Sequence, residues 1–258
     1  MHLFSDQPGD EGLPGHERRL AMVAVMTSTT MAVFDGSMVN VALPQIARVL
    51  EVSSGDAVWV ANGYLLSAAM TLAIFAALAP RTGFRALFAA GISLFTLASL
   101  GCALSTSLEM LVAMRLLQGI GGAATLSIAP AILRSIFPGR LLGRILGIHA
   151  LLIAANTAIA PVIGGALLSS LGWQWLFAIN LPFGVIALLL TLRVVPVHRG
   201  IIRGRFDVAG ALFSAIMLGA VIMASNAFSR PGEAGGSLLT PAIYGLVAVV
   251  SGIAFVYR

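Results

Sequence analysis

The sequence predicts an all-α, polytopic membrane protein, and three observations carry that prediction. Apolar residues make up 59% of the 258 positions and charged residues only 10%, with a mean hydropathy of +0.98. A soluble domain usually carries about 25% charged residues, so there are too few here to cover a water-facing surface. Eight apolar stretches each reach the ~20 residues that a helix needs to cross the hydrocarbon core of a bilayer. Arginine, which accounts for all 15 basic residues, falls in alternate loops between those stretches.

Residues 1–19 come first, as a polar tail. They are too acidic for the start of a signal peptide, and the apolar run behind them is too long for a signal's core. The tail is therefore expected to stay in the cytoplasm. The spans follow at 20–43, 57–79, 86–104, 110–132, 142–169 and 174–192. Short polar turns, or turns containing Gly or Pro, join them, so consecutive helices are expected to form antiparallel hairpins. A longer connection over 194–206, with Pro196, Gly200 and Gly204, closes a six-helix bundle over 20–193. Two more spans, 207–227 and 239–257, make up a further unit over 207–258.

The arginines set the orientation. Arg18 and Arg19 precede the first span, Arg81 and Arg85 separate the second and third, and Arg134, Arg140 and Arg144 separate the fourth and fifth. Arg193, Arg199, Arg203 and Arg205 lie between the sixth and seventh, and Arg258 follows the eighth, against only Arg48 and Arg230 in the opposite loops. Positive loops face the cytoplasm, which places both ends of the chain there, in a bacterial inner membrane. The net charge of +5 is thus a topology signal spread over separate loops, and a nucleic-acid partner is excluded. Cysteines introduced into the 133–141 loop are expected to resist an impermeant thiol reagent added outside intact cells. Labelling from outside would overturn the orientation.

Two ionisable groups stand well inside the spans. Asp35 interrupts the apolar run Leu20–Leu43, and Arg115 lies in the fourth span. Charges in hydrocarbon are rare and mark function or a partner. Asp35 lies about 8 residues from the outer end of its span and Arg115 about 5, so at ~1.5 Å per residue their depths agree within one turn. They would meet if helices 1 and 4 are neighbours. Gln118, three residues after Arg115, shares its helix face. Burial would favour a protonated Asp35 and a nearby arginine would favour the charged form, which makes Asp35 a candidate protonation site.

Other candidates are less pointed. His149 reads either as a proton relay or as a satisfied core histidine. Asn40 and Asn156, with Gln118, are candidate cavity-lining or supporting polar groups. Trp59, Trp173 and Trp175 fall where aromatic rings anchor helices at an interface. Gly119-Ile120-Gly121-Gly122 and Gly143-xxx-Gly147 are small-residue runs of the kind that let helices approach closely in lipid. Pro161, with Gly164 and Gly165, would kink the fifth helix and allow tight contact, and Pro44 and Gly119 are further candidate helix-bending or gating positions. Cys102, the single cysteine, reads as a small packing residue. No metal-ligand cluster, phosphate loop or nucleophile–base pair supports an enzyme, and neither a cofactor nor a metal is expected.

Taken together these stretches resemble the major facilitator superfamily, and within it the drug:proton antiporters with fourteen helices. Asp35 through Asn40-Val41-Ala42-Leu43-Pro44 is similar to that subfamily's first-helix motif. Arg115-Leu116-Leu117-Gln118-Gly119-Ile120-Gly121 resembles the fourth-helix arginine motif tied to proton coupling. Ala160-Pro161 through Gly164-Gly165 resembles the end of the antiporter motif, with alanine where glycine is commoner before the proline. Trp173-Gln174-Trp175-Leu176-Phe177-Ala178-Ile179-Asn180-Leu181-Pro182-Phe183-Gly184 and Phe206-Asp207-Val208-Ala209-Gly210 resemble the entries to helices six and seven. In the loop between the second and third spans, Arg81, Gly83 and Arg85 match. Ala76 and Pro80 stand where the pattern has glycine and aspartate.

The resemblance implies proton-coupled export of lipophilic or cationic drugs, with Asp35 and Arg115 as coupling elements. It also implies a second six-helix half, absent from this chain, as partner across the substrate site. A major facilitator that carries a metabolite is the second reading. A transport-incompetent, truncated membrane protein or assembly partner is the third.

Overall fold

The computed structural model describes residues 3–4, 10–197, 206–228 and 239–257, and all regular structure among them is helical. Among the described residues, eight helices are long and apolar enough to cross a membrane. They are α1 (Gly15–Val49), α2 (Ser54–Thr82), α3 (Phe84–Ala103), α4 (Leu108–Ile136), α5 (Gly139–Ser170), α6 (Trp175–Val194), α7 (Val208–Phe228) and α8 (Leu239–Val256).

All eight apolar stretches became helices, because inside a bilayer a continuous helix is what satisfies every backbone donor and acceptor within its own segment. Several outrun the apolar stretch. α1 starts within the predicted tail, at Gly15, and α5 starts at Gly139. Hydropathy marks where lipid must begin, whereas the hydrogen-bond ladder ends only where a cap or turn stops it. Ser107 caps α4 by accepting from the Met110 amide at 3.2 Å. Ser53 caps the first turn of α2, Ser54–Ala57, by accepting from the Asp56 amide at 3.0 Å, and Val58 sets that turn apart from the rest. At the tight α2–α3 joint Gly83 has φ +99°, a conformation that disfavours any side chain.

α1 and α4 touch and form the middle of the bundle. α1 also packs on α5 and α6, while α4 packs on α2 and α3; α3 in turn meets α6. The α7–α8 hairpin docks through α7 onto α2, where Gly219 lies against Met70. One apolar cluster, including Val25, Phe88, Ile132 and Ile136, fills the arginine-rich end. A second, including Met38, Ile46, Leu111 and Trp173, fills the opposite end. A small third group around Tyr64 and Phe95 lies in neither.

Lipid tails are as apolar as leucine, so helices in a bilayer associate through close packing and not through water exclusion. The α3–α4 seam is built this way. A β-carbon on Gly121 would lie 2.6 Å from the Phe95 nitrogen and 2.8 Å from the Gly91 carbonyl. Gly121→Val is therefore expected to lower the stability of the purified protein by about 1–3 kcal/mol, the usual cost of overpacking. Unchanged thermal unfolding in detergent would refute this account of the seam.

The α5 glycines behave differently. Gly164 meets Met38 of α1, but no atom within 4 Å would oppose a side chain at Gly143, Gly147 or Gly165. Those three do not bring helices together within this chain, contrary to the expectation from their spacing. α5 also runs unbroken through Pro161.

The N-terminal segment is tied to the arginine-rich end. The Leu13 amide donates to the Ile136 carbonyl at 3.2 Å, and Arg140 donates to both Asp10 oxygens at 2.8 and 2.7 Å. Arg18 is buried and reaches back to the Leu13 carbonyl through Nε and a terminal nitrogen, at 3.1 and 2.8 Å. Of the predicted 194–206 connection, residues 198–205 lie outside the described residues, as do Arg230 and Arg258. Phe206, at its end, lies under the Arg81 guanidinium at 5.6 Å.

Candidate functional site

Asp35 and Arg115 are paired, with both side chains fully buried. Helices α1 and α4 carry them to the same depth, as their positions in the two spans require. The pair stands inside a closed polar network. One Asp35 oxygen accepts from an Arg115 terminal nitrogen. The other accepts from Gln118 Nε2 at 2.8 Å and from Asn180 Nδ2 at 3.1 Å. Three donors from α4 and α6 thus converge on one carboxylate. A buried carboxylate needs such partners, and here they come from two other helices.

The second layer holds the first. Arg115 donates through Nε to the Val60 carbonyl at 2.8 Å and through a terminal nitrogen to Gln118 Oε1 at 2.7 Å. Gln118 Nε2 also reaches Ser99 Oγ at 2.8 Å, and the Cys102 thiol lies 3.6 Å from Gln118 Oε1. The guanidinium stacks over Tyr64 with its carbon 4.4 Å from the ring centre, and Phe177 flanks it at 5.6 Å. Such contacts stabilise a cation most when it is shielded from water. Tyr64 is itself fastened, its hydroxyl donating to the Ala32 carbonyl at 2.9 Å.

Of the predicted site residues, Asp35, Arg115 and Gln118 are brought together. Asn40 is exposed and stands apart from the network. Asn156 belongs to a separate seam between α1 and α5, donating to Thr30 at 2.9 Å. His149 lies on that same seam, 3.0 Å from the Thr29 hydroxyl. Pro44 and Pro161 sit within continuous helices, and Gly119 lies against Ser67 and the Tyr64 carbonyl on α2. In the α2–α3 joint, Arg81 donates to the Ala77 carbonyl at 2.5 Å, and Arg85 reaches across to the Leu192 carbonyl on α6. Arg85 therefore ties two helix ends together.

The tryptophan expectation needs correcting. Trp173 is 1% exposed and packs edge-on against Phe177, at 6.2 Å and 81°. It is a core residue. Only Trp175, 51% exposed, presents a large open ring surface. Their spacing of two along a turn-and-helix entry points them in different directions.

Ser99, Asn180, Tyr64 and Cys102 were not singled out as site residues. Asn180 lay in plain view, a polar amide in an apolar run, but nothing local distinguished it from a residue facing water or lipid headgroups.

Residues 25–257 match the family model of the Major Facilitator Superfamily. An uncharacterized transporter, YebQ of Escherichia coli K12, is 40% identical over 96% of this chain and 54% of its own length. The methylenomycin A resistance protein of Streptomyces coelicolor is 33% identical over 85% of this chain and 46% of its own. A riboflavin transporter, RibZ of Clostridioides difficile, is 28% identical over 81% and 46%. Among solved structures, a POT-family peptide transporter superposes with a TM-score of 0.67 over 95% of this chain and 53% of its own, at 14% identity, which speaks to the fold alone. The chain spans about half the length of the curated relatives it matches. With eight helices fit to cross a bilayer and a family match over almost its whole length, this chain is a multi-pass membrane protein of the major facilitator superfamily.

Proposed function

We propose that this chain supplies the N-terminal, proton-coupling half of an exporter that exchanges protons for lipophilic or cationic drugs. The observation that carries the reading is the Asp35 carboxylate, sealed from solvent and held by Arg115 and two amides from other helices. A purely structural ion pair is a poor stabiliser when buried and is often replaceable by apolar packing. A buried carboxylate whose partners belong to two other helices changes the forces between those helices whenever it takes up a proton.

The chemistry is one proton on one oxygen. Deprotonated, Asp35 draws Arg115, Gln118 and Asn180 together and clamps α1, α4 and α6. Protonated, it loses its charge, the attraction to Arg115 weakens, and one oxygen becomes a donor that its amide donors cannot accept. The clamp loosens, and the bundle is free to repack against a second half across the substrate site, as alternating access requires. A cationic drug on that site favours the charged carboxylate, so drug and proton bind in alternation. With the arginine-rich loops in the cytoplasm, protons entering from outside drive drugs out. Similarity to proteins named for methylenomycin A resistance and multidrug resistance supports the drug class.

The test uses inverted membrane vesicles containing the complete gene product, acidified inside by respiration. Adding tetraphenylphosphonium is expected to release protons from the vesicle lumen, and an uncoupler is expected to stop its uptake. Uptake that survives the uncoupler would overturn proton coupling. The riboflavin transporter among the relatives supports a metabolite as the second reading; proton release by riboflavin but by none of a panel of drug cations would favour it.

A further inference from the structure

We propose that Asn180 is a positioning residue of the coupling site: its side-chain amide holds the Asp35 carboxylate in the arrangement paired with Arg115, so that protonation of Asp35 is transmitted to α6 as well as to α4. The inference rests on the reading of Asp35 as the proton site.

Asn180 is 2% exposed and lies immediately after Ile179, the turn residue that sets Trp175–Ala178 apart from the rest of α6. Its Nδ2 faces Asp35 Oδ1 at 3.1 Å and Ser99 Oγ at 3.5 Å. The orientation of the amide is chemically forced. A carboxylate accepts only, so the amide edge toward it must be the nitrogen. Ser99 spends its hydroxyl proton on the Phe95 carbonyl at 2.8 Å, which leaves its oxygen to accept. Asn180 therefore bridges α6 to both α1 and α3, and it is the network's polar side chain from α6.

The groups facing Asp35 are few. α4 contributes Arg115 and Gln118, α2 the Tyr64 ring, α3 Ser99 with Cys102 behind it, and α6 Asn180. His149 of α5 bonds Thr29, about two turns away along α1. Removing the amide thus removes one of the three donors to the carboxylate and leaves its charged partner in place. The expected consequence is a carboxylate held less firmly against Arg115, and with it a changed pH profile of the site.

Infrared spectroscopy of the purified full-length protein during a pH titration reads this directly. The carboxylic-acid carbonyl band that disappears in Asp35→Asn belongs to Asp35. In Asn180→Leu, which keeps the shape of the side chain and removes its donors, the midpoint of that band is expected to move by on the order of one pH unit. Asn180→Asp, which replaces a donor with a second acid, is expected to move it further, and it serves if the leucine variant fails to fold. An unmoved midpoint in either folded variant overturns the inference and leaves Asp35 as the proton site. A protein in which Asp35→Asn still exchanges protons for drug overturns the underlying reading, whatever Asn180 does.

Discussion

Asp35→Asn is expected to insert and fold near normally while drug-driven proton release falls to the level of vesicles lacking the protein. Asparagine matches aspartate in shape, so the space between α1, α3, α4 and α6 stays filled. What changes is chemical. The side chain can no longer take up or give up a proton, and its NH₂ must replace one accepting oxygen. That oxygen accepts from Arg115 or from Gln118 and Asn180, so at least one buried donor loses its acceptor. Leaving a buried donor unpaired costs about 1–3 kcal/mol, which a folded membrane protein of this size is expected to tolerate. Transport has no such tolerance, because among the described residues no other aspartate or glutamate joins this network. The measurement is proton release on addition of tetraphenylphosphonium, with protein abundance and thermal unfolding as controls. Release at the wild-type rate would remove Asp35 from the mechanism.

Arg115→Leu is expected to damage stability as well as transport. It strips the buried carboxylate of its one ionic partner among the described residues and removes the guanidinium's bonds to the Val60 carbonyl and to Gln118 Oε1. Breaking a buried pair by removing one member typically costs about 3–5 kcal/mol, more than removing both. The double variant Asp35→Leu with Arg115→Leu should therefore unfold at a higher temperature than Arg115→Leu alone, although it transports no better. That ordering is the informative result. If Arg115→Leu proved as stable as the wild type, Asp35 would have to be protonated in the resting protein, and the clamp described above would be wrong. Comparing unfolding in detergent at neutral and mildly acidic pH sharpens the test: acid should partly rescue the single variant by neutralising the stranded carboxylate.

The class, the eight helices and the two ionic members of the candidate site were legible in the chain alone. Each follows from a strong one-dimensional rule. Hydrocarbon demands long apolar helices, and charge inside them is costly enough to be conspicuous, so Asp35 and Arg115 stand out without any neighbour being known. Matching depths then followed from helix rise alone. Which uncharged residues join them depends on the packing of the helices against one another. Ser99, Asn180 and Tyr64 are single polar or aromatic residues in apolar runs, and whether such a residue meets a carboxylate, a headgroup or lipid depends on how its helix is rotated against the others. The same limit explains Trp173, read as an interface anchor and found in the core, and Asn40, found outside the network. It also explains the glycines: small-residue runs in α4 and α5 led to tight contact at Gly121 and to open space at Gly143 and Gly147, because close approach needs a partner helix and the run supplies only half of the pair.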